Sequence, residues 1–173
     1  LSDLIRDISL ITKMEESAQS LKKEHLGMRR LACDVFEEFA GVIAEQGITV
    51  ENTIPEDVSI LGNPSLLYAL LRNLVENSLR YAGNGVTIHL ECSVYEGVAH
   101  FFYYDTGKGV SDEHLEKIFE RFYRIPEEDS HRSEGSGLGL SIVKNAVAFH
   151  KGTISAHHLQ PHGLAFRFSI PVE

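Results

Sequence analysis

A glycine-rich segment in the last third of the chain has the composition of an anion-binding loop. Residues 135–144 read G-S-G-L-G-L-S-I-V-K, so that glycines lead directly into a helical pattern. The first N–H groups of a helix lack intrahelical acceptors, and the helix macrodipole favours negative charge there. The spacing matches neither the P-loop nor the dinucleotide fingerprint, since Leu140 stands where the third glycine of the latter would be. The segment therefore predicts a phosphate-binding loop of another kind.

A second segment, residues 105–110 with the sequence D-T-G-K-G-V, follows the most apolar stretch of the chain. Asp105 can accept a hydrogen bond from an amino group. Gly107 and Gly109 permit positive φ angles and a close approach of the backbone to a flat ligand. The segment predicts a site for a ring with an amino group, and an ordinary hairpin turn is the alternative.

Two asparagines lie one turn apart in a long helical pattern. Asn73, Asn77, Arg80 and Tyr81 occupy positions i, i+4, i+7 and i+8, and therefore one face of the helix. The core side of the same helix is apolar: Leu67, Leu71, Leu74, Val75 and Leu79. Asparagine is a poor helix former in a helix interior. The pair indicates a polar face with a function, and a merely solvated face is the alternative.

An aromatic segment precedes a polar one. Phe119, Phe122 and Tyr123 lie just before Arg124, and residues 124–137 are polar, aperiodic and rich in serine, glutamate and glycine. Such a stretch predicts a mobile loop. The aromatic residues could anchor it as a lid, with Arg124 reaching phosphate oxygens. An ordinary hydrophobic helix end is the alternative.

Composition limits the class of protein. The chain has 173 residues, of which 43% are hydrophobic and 24% charged, values typical of one globular domain with an appendage. The formal net charge of -9 disfavours a nucleic-acid partner. No apolar run approaches the ~20 residues of a membrane helix, and no signal-peptide pattern is present. Cys33 and Cys92, the two cysteines, have no metal-ligand spacing, so we expect them to be free thiols.

Hydrophobic periodicity predicts the elements that position these residues. Helices are expected over residues 28–45, 63–81, 111–119 and 138–150, and strands over residues 48–54, 58–61, 86–94, 98–104, 153–157 and 164–170. Asn63 followed by Pro64 is a typical helix start. Helices and strands are mixed without strict βαβ alternation, which favours an α+β two-layer sandwich.

The first residues predict an amphipathic helical stem. Leu1, Leu4, Ile8 and Ile11 follow a 3-4-3 spacing, and residues 16–26 are polar, as in a linker. The stem could join a coiled coil or pack on its own domain. Because the chain starts without Met and already in a helical pattern, we expect it to be part of a longer protein.

Taken in order, four segments resemble the N, G1, F and G2 boxes of the ATP-binding domain of sensor histidine kinases. They are N-L-V-E-N-S-L-R-Y, D-T-G-K-G-V, I-F-E-R-F-Y-R and G-S-G-L-G-L-S-I-V-K. The resemblance implies a Bergerat-type α/β sandwich, with a mixed, mainly antiparallel sheet covered on one face by helices. Residues 27–173 would form the ATP-binding kinase domain, and residues 1–26 the end of the second dimerisation helix and its linker.

The resemblance also implies a role for each motif residue. Asp105 would accept the adenine amino group, Asn77 would bind Mg²⁺, and Asn73 would form a hydrogen bond near the phosphates of ATP. Asn73, Asn77 and Arg124 would serve the phosphoryl transfer, which is mainly positioning and charge stabilisation. The rest of the nucleotide-binding set would be Arg80, Tyr81, Gly107, Gly109, Phe119, Phe122, Gly135, Gly137, Leu138, Gly139 and Leu140.

One departure bears on the reaction. Asn73 stands where related ATPases of the gyrase, mismatch-repair and heat-shock types have a glutamate that activates water. An amide is no general base at neutral pH, which favours transfer to a protein acceptor. Glu76 faces another side of the helix and does not replace that glutamate. Two alternatives to a histidine kinase are kept: an ATPase that drives conformational change, and a non-catalytic scaffold.

The acceptor and the partners are expected outside this sequence. None of the nine histidines stands in the His-Glu/Asp…Pro context of the family's acceptor. The resemblance implies a response-regulator receiver domain as partner and a homodimer of the full-length protein. It implies membrane contact only through regions N-terminal to this chain, and the net charge predicts no nucleic-acid partner. The location would be cytoplasmic, as part of an inner-membrane sensor.

Overall fold

The computed structural model describes residues 2–16, 21–125 and 137–173. The helices are α1 (Ser2–Glu16), α2 (Met28–Glu38), α3 (Ala40–Glu45), α4 (Pro64–Tyr81) and α5 (Gly139–Phe149). The strands are β1 (Glu24–Gly27), β2 (Thr49–Asn52), β3 (Ser59–Gly62), β4 (Thr87–Tyr95), β5 (Val98–Asp105), β6 (Thr153–His158) and β7 (Leu164–Pro171).

Five strands form one sheet, in the order β2-β4-β5-β7-β6, and β1 pairs with β3 in a separate sheet. Strand β2 runs parallel to β4, whereas the other neighbours in the large sheet are antiparallel. The predicted α+β sandwich with a mixed, mainly antiparallel sheet is therefore confirmed.

The core lies between α4, α5 and one face of the sheet. Residues of β5 alternate between buried and half-buried, because successive side chains point to opposite faces. Tyr103 and Phe166 on the inner face are fully buried, as are Leu67 and Leu74 of α4. Burying a leucine side chain contributes about 1.5–3 kcal/mol. Packing of this kind fixes α4 against β5.

Helix α4 begins as predicted. The side chain of Asn63 accepts a hydrogen bond from the Leu66 N–H at 3.0 Å, and Pro64 occupies the first turn. Such a cap contributes about 1 kcal/mol. The defined start sets the rotation of α4, and with it the direction of its asparagines.

The helix predicted over residues 28–45 is instead two helices. Phe39 interrupts it with φ −100° and ψ 11°, and its ring lies 5.4 Å from the Arg72 guanidinium carbon of α4. Hydrophobic spacing continues through this point, so the periodicity could not reveal a change in one residue's backbone angles.

Two further expectations were wrong. The C-terminal part of the predicted linker forms strand β1, which pairs with β3. The helix predicted over residues 111–119 is a pair of short 3-10 turns, Asp112–His114 and Lys117–Phe119. Ser111 makes no capping hydrogen bond there, so an isolated α-helical turn lacks the usual stabilisation of its first N–H groups.

The stem packs on its own domain. Helix α1 contacts α5, and its Ile11 and Met14 are buried, whereas Ile5 and Ile8 are 63% and 47% exposed. One face of α1 therefore packs on its own domain, which was the second alternative for the stem. Outside that face, Ile5 and Ile8 form an exposed apolar strip. No helix within the described ranges combines the length and apolar character needed to cross a membrane.

His150 joins the end of α5 to the start of α4. Its Nε2 accepts a hydrogen bond from the Asn63 N–H at 3.0 Å, and its Nδ1 donates to the Ala146 carbonyl at 2.7 Å. Burial lowers the pKa of His150, the Ala146 carbonyl opposes this, and the charge of Lys23 adds a further lowering. The imidazole is therefore neutral in the folded protein.

We expect His150 to make the folding stability depend on pH. The unfolded imidazole titrates near about 6.5, whereas the folded pKa is lower. The neutral, hydrogen-bonded imidazole contributes its full stability above the unfolded pKa. This stability is lost as the pH falls from the unfolded pKa towards the folded pKa, because the unfolded chain takes up the proton first. Urea unfolding at about pH 7.5 and about pH 5.5 should show a smaller pH response in His150→Gln than in wild type. The exposed His25 provides the control variant, His25→Gln. Equal responses of wild type and His150→Gln would contradict this expectation.

Candidate functional site

Asp105 lies at the end of β5 on the helix-covered face of the sheet and is 3% exposed. Its Oδ2 accepts from the Ser78 hydroxyl at 2.7 Å, and its Oδ1 accepts from the Gly107 N–H at 3.1 Å. Burial raises the pKa of Asp105, and hydrogen bonds from Ser78 and the backbone N–H groups of Gly107 and Leu164 oppose this rise. A carboxylate has about four lone-pair sites, so with these three donors Asp105 can still accept one further hydrogen bond, as from an amino group.

Asp105 is connected to two buried hydroxyl groups, those of Ser78 and Tyr103. Neither residue was among the predicted site residues. The Tyr103 hydroxyl lies 2.8 Å from Ser78 Oγ and 3.1 Å from the Leu74 carbonyl oxygen, and its single hydrogen can be donated to either. The alternation of β5 places Tyr103 on the same face as Asp105, so the sequence pattern could have predicted that Tyr103 lies near the site. Nothing in the sequence indicated that Ser78 on α4 would contact both.

The two glycines of the G1-like segment pack against protein backbone. A Cβ on Gly107 would stand 2.5 Å from the Ala82 Cα, and a Cβ on Gly109 would stand 2.8 Å from the Gly163 oxygen. Gly109 also has φ +70°. Segment 105–110 is thus confined between the end of α4 and the loop that joins β6 to β7. These two glycines therefore allow a close approach of the segment to other protein backbone.

The asparagines of α4 differ in burial. Asn73 is 7% exposed, its Nδ2 donates to the Ala69 carbonyl at 2.7 Å, and a Cβ on Gly139 would stand 3.0 Å from its Oδ1. Asn77 is half-buried, and its side chain has no hydrogen-bond partner among the described residues. Asn73 therefore meets the start of α5, while the Asn77 amide can bind a ligand.

The charged residues of α4 form ion pairs along its surface. Glu76 contacts Arg80 at 3.0 Å and Arg72 at 3.2 Å. Glu76 is held between these two guanidinium groups. It therefore does not replace the water-activating glutamate that related ATPases have at the position of Asn73, as its place on the helix predicted. Tyr81, the last residue of α4, is half-buried.

The entry to α5 is tied to the aromatic segment. Gly137 has φ +75°, and its carbonyl accepts from the Phe122 N–H at 2.7 Å. Leu138 is 1% exposed, so its side chain anchors the loop in the core and only its backbone could meet a phosphate. Within the described residues helix α5 has no side-chain cap at its start, and the first N–H groups of a helix can bind an anion. Leu140 is half-buried one residue after Gly139.

The aromatic residues are placed unequally. Phe119 packs edge-on against Phe166, with centroids 5.9 Å apart, whereas Phe122 is 63% exposed and has φ +63°. Arg124 is exposed. Most of the predicted lid, together with Gly135, lies outside the described residues.

The donor set fits a metal that arrives with a polyphosphate. Across residues 2–16, 21–125 and 137–173, no group of three or more His, Cys, Asp or Glu side chains could hold a metal. Mg²⁺ typically keeps several waters and binds one or two protein oxygens together with substrate phosphates. Asn77 offers one amide oxygen of this kind. It lies on the same face of α4 as Asn73, which meets the first turn of α5.

Comparisons with known proteins agree with this geometry. Residues 62–173 match the family described as histidine kinase-, DNA gyrase B-, and HSP90-like ATPase. The signal transduction histidine-protein kinase BaeS of Escherichia coli K12 is 31% identical over 173 residues, which is 100% of this chain and 37% of BaeS. The chain thus spans little more than a third of that relative.

Solved structures have the same fold. Full-length ShkA in complex with AMPPNP has a TM-score of 0.80 and 25% identity, covering 97% of this chain and 35% of ShkA. Histidine kinase ThkA in complex with response regulator protein TrrA has a TM-score of 0.76 and 22% identity, covering 99% of this chain and 49% of ThkA. The chain belongs to the histidine kinase-, DNA gyrase B- and HSP90-like ATPase family and is homologous to the ATP-binding catalytic domains of sensor histidine kinases.

Proposed function

We propose that this chain binds ATP with Mg²⁺ and transfers the γ-phosphoryl group to a histidine outside these 173 residues. The supporting observation is that α4 contacts both ends of the site. Ser78 holds Asp105, and Asn73, five residues earlier, meets Gly139 at the start of α5. Five helical residues span about 7.5 Å. That length lets one helix lie along a nucleotide, with the base at Asp105 and the phosphates at α5.

Each group has a task that its surroundings permit. Asp105 accepts from the adenine amino group, Asn77 offers its amide oxygen to Mg²⁺, and the first N–H groups of α5 bind phosphate oxygens. When bound, Mg²⁺ neutralises charge on the phosphates. Arg124, at the end of the aromatic segment, steadies the transferred group.

The remaining sequence-based expectations belong to the same proposal. A response-regulator receiver domain is the expected partner, by analogy with ThkA, which was solved in complex with the response regulator protein TrrA. The exposed strip of α1, with Ile5 and Ile8, suits a helix that pairs in a homodimer of the full-length protein. We further propose residues 27–173 as the kinase domain, a cytoplasmic location, and membrane contact only through other parts of the protein.

Three measurements on the purified chain test this function. Calorimetric titration with ATP should show binding that weakens when EDTA removes Mg²⁺. Phosphate release without an acceptor should be slow, because Asn73 is no general base. Phosphoryl transfer should be seen only when a dimerisation helix with an acceptor histidine is added. Rapid phosphate release would favour the ATPase alternative, absence of binding would favour the scaffold, and efficient autophosphorylation of the chain would contradict the external acceptor.

Replacing Asn77 with alanine is expected to remove the magnesium dependence of ATP binding. The amide oxygen is the proposed protein ligand of Mg²⁺, so affinity in Mg²⁺ should fall about ten-fold, to the level that the wild type shows in EDTA. Asn84→Ala, at an exposed turn after α4, is the matched control. If Asn77→Ala keeps the full difference between Mg²⁺ and EDTA, the metal is held elsewhere.

A further inference from the structure

We infer that Tyr103, acting through Ser78, is a positioning residue that sets the preference of the site for a 6-amino purine over a 6-oxo purine. The inference rests on the proposed function, in which Asp105 reads the base.

The three side chains form a buried series of hydrogen bonds. Ser78 Oγ lies 2.7 Å from Asp105 Oδ2 and 2.8 Å from the Tyr103 hydroxyl. Tyr103 is 0% exposed and Ser78 is 1% exposed. A serine hydroxyl has one hydrogen, and an ionised carboxylate can only accept. The Ser78 hydrogen is therefore given to Asp105, and its oxygen is left to accept from Tyr103.

Tyr103 restricts Ser78 to this arrangement. Its hydroxyl hydrogen can be given to Ser78 Oγ or to the Leu74 carbonyl, which lies 3.1 Å away. When Tyr103 donates to Ser78 Oγ, the Ser78 hydrogen cannot turn towards Tyr103 and stays on Asp105, and the bond from Ser78 to the carboxylate is polarised. Burial raises the pKa of Tyr103 well above its ordinary value, although the Ser78 hydrogen bond opposes this, so the phenol keeps its proton.

This arrangement matters for base selection because it keeps Asp105 an acceptor. Adenine presents an amino group at position 6, which donates, whereas hypoxanthine presents an oxygen, which accepts. An ionised Asp105 binds the first and repels the second. Burial raises the pKa of Asp105, and the Ser78 hydrogen bond is the largest contribution that opposes the rise. Without that bond a protonated carboxyl group could donate to the 6-oxo group, and discrimination would decrease.

The test compares ATP with inosine triphosphate (ITP), which carries hypoxanthine in place of adenine. Calorimetric affinities for both nucleotides would be measured for wild type, Ser78→Ala, Tyr103→Phe and the double variant. We expect the ATP/ITP affinity ratio to fall about ten-fold in Ser78→Ala and about three-fold in Tyr103→Phe. The double variant should match Ser78→Ala, because both changes break one series of bonds. Tyr104→Phe, on the opposite sheet face, should leave the ratio unchanged.

The ratio is independent of the fraction of folded protein, so a loss of stability alone cannot imitate the expected result. An unchanged ratio in Tyr103→Phe, or a double variant with the product of the two single effects, overturns the inference. If wild type binds neither nucleotide, the proposed function fails as well. If wild type prefers ATP and Asp105→Asn removes that preference while Tyr103→Phe does not alter it, only the inference fails.

Discussion

Replacing Asp105 with asparagine is expected to lower the affinity for ATP about 100-fold. The carboxylate accepts from Ser78 and Gly107 and is 3% exposed, so water cannot compensate for a lost acceptor. An asparagine must turn its NH₂ group towards one of these donors or towards the adenine amino group. Loss of a hydrogen bond to a charged group and burial of an unmatched donor together cost about 3 kcal/mol, which corresponds to this decrease.

Isothermal titration calorimetry in Mg²⁺ would measure the loss. Asp57→Asn, in the exposed turn between β2 and β3, is the matched control and should bind ATP as wild type does. Because an ionised carboxylate is costly to bury, Asp105→Asn should remain folded, and a circular dichroism spectrum would verify this. An affinity for ATP within about three-fold of wild type would show that Asp105 does not contribute to nucleotide binding.

Replacing Gly107 with alanine is expected to damage folding and binding together. The added Cβ would stand 2.5 Å from the Cα and 2.6 Å from the carbonyl oxygen of Ala82. These are main-chain atoms and cannot rotate away, so segment 105–110 must move. Overpacking of this kind costs about 1–3 kcal/mol in the free energy of unfolding. The movement also takes the Gly107 N–H away from Asp105, so ATP affinity should fall at least about ten-fold.

Gly41→Ala is the matched control for this variant. Gly41 lies in α3, and a Cβ added there would meet no atom within 4 Å, so alanine should raise stability by up to about 1 kcal/mol through helix propensity. Urea unfolding and nucleotide titration of both variants provide the comparison. A Gly107→Ala protein with wild-type stability and affinity would show that the contact with Ala82 is not restrictive.

Local signals predicted the parts of the fold that depend on neighbouring residues. The Asn63-Pro64 start of α4 and the alternation of β5 depend on a few adjacent residues, and both are as expected. For the same reason the order of the four motifs along the chain was enough to indicate the family. The position of Asp105 at the end of its strand followed directly.

Contacts between distant segments could not be predicted in this way. The interruption at Phe39 is a change of backbone angle within an unbroken apolar pattern, and β1 pairs through backbone groups that polar side chains do not reveal. Ser78 appeared to be an ordinary helical serine, because its two side-chain partners are 25 and 27 residues away. His150 likewise bonds to Asn63 across 87 residues. Each feature exists only once the tertiary structure has formed.

The separation of the site residues along the chain links ligand occupancy to the whole domain. Ser78 lies in α4, Asp105 ends β5, and Gly163, where an added Cβ would stand 2.1 Å from the Asp105 backbone oxygen, precedes β7. A denatured chain therefore offers nucleotide no fragment of the pocket. By mass action, ATP at 100 times its dissociation constant would add about 2.7 kcal/mol against global unfolding. In a cell, resistance of this domain to proteases would rise and fall with the energy supply.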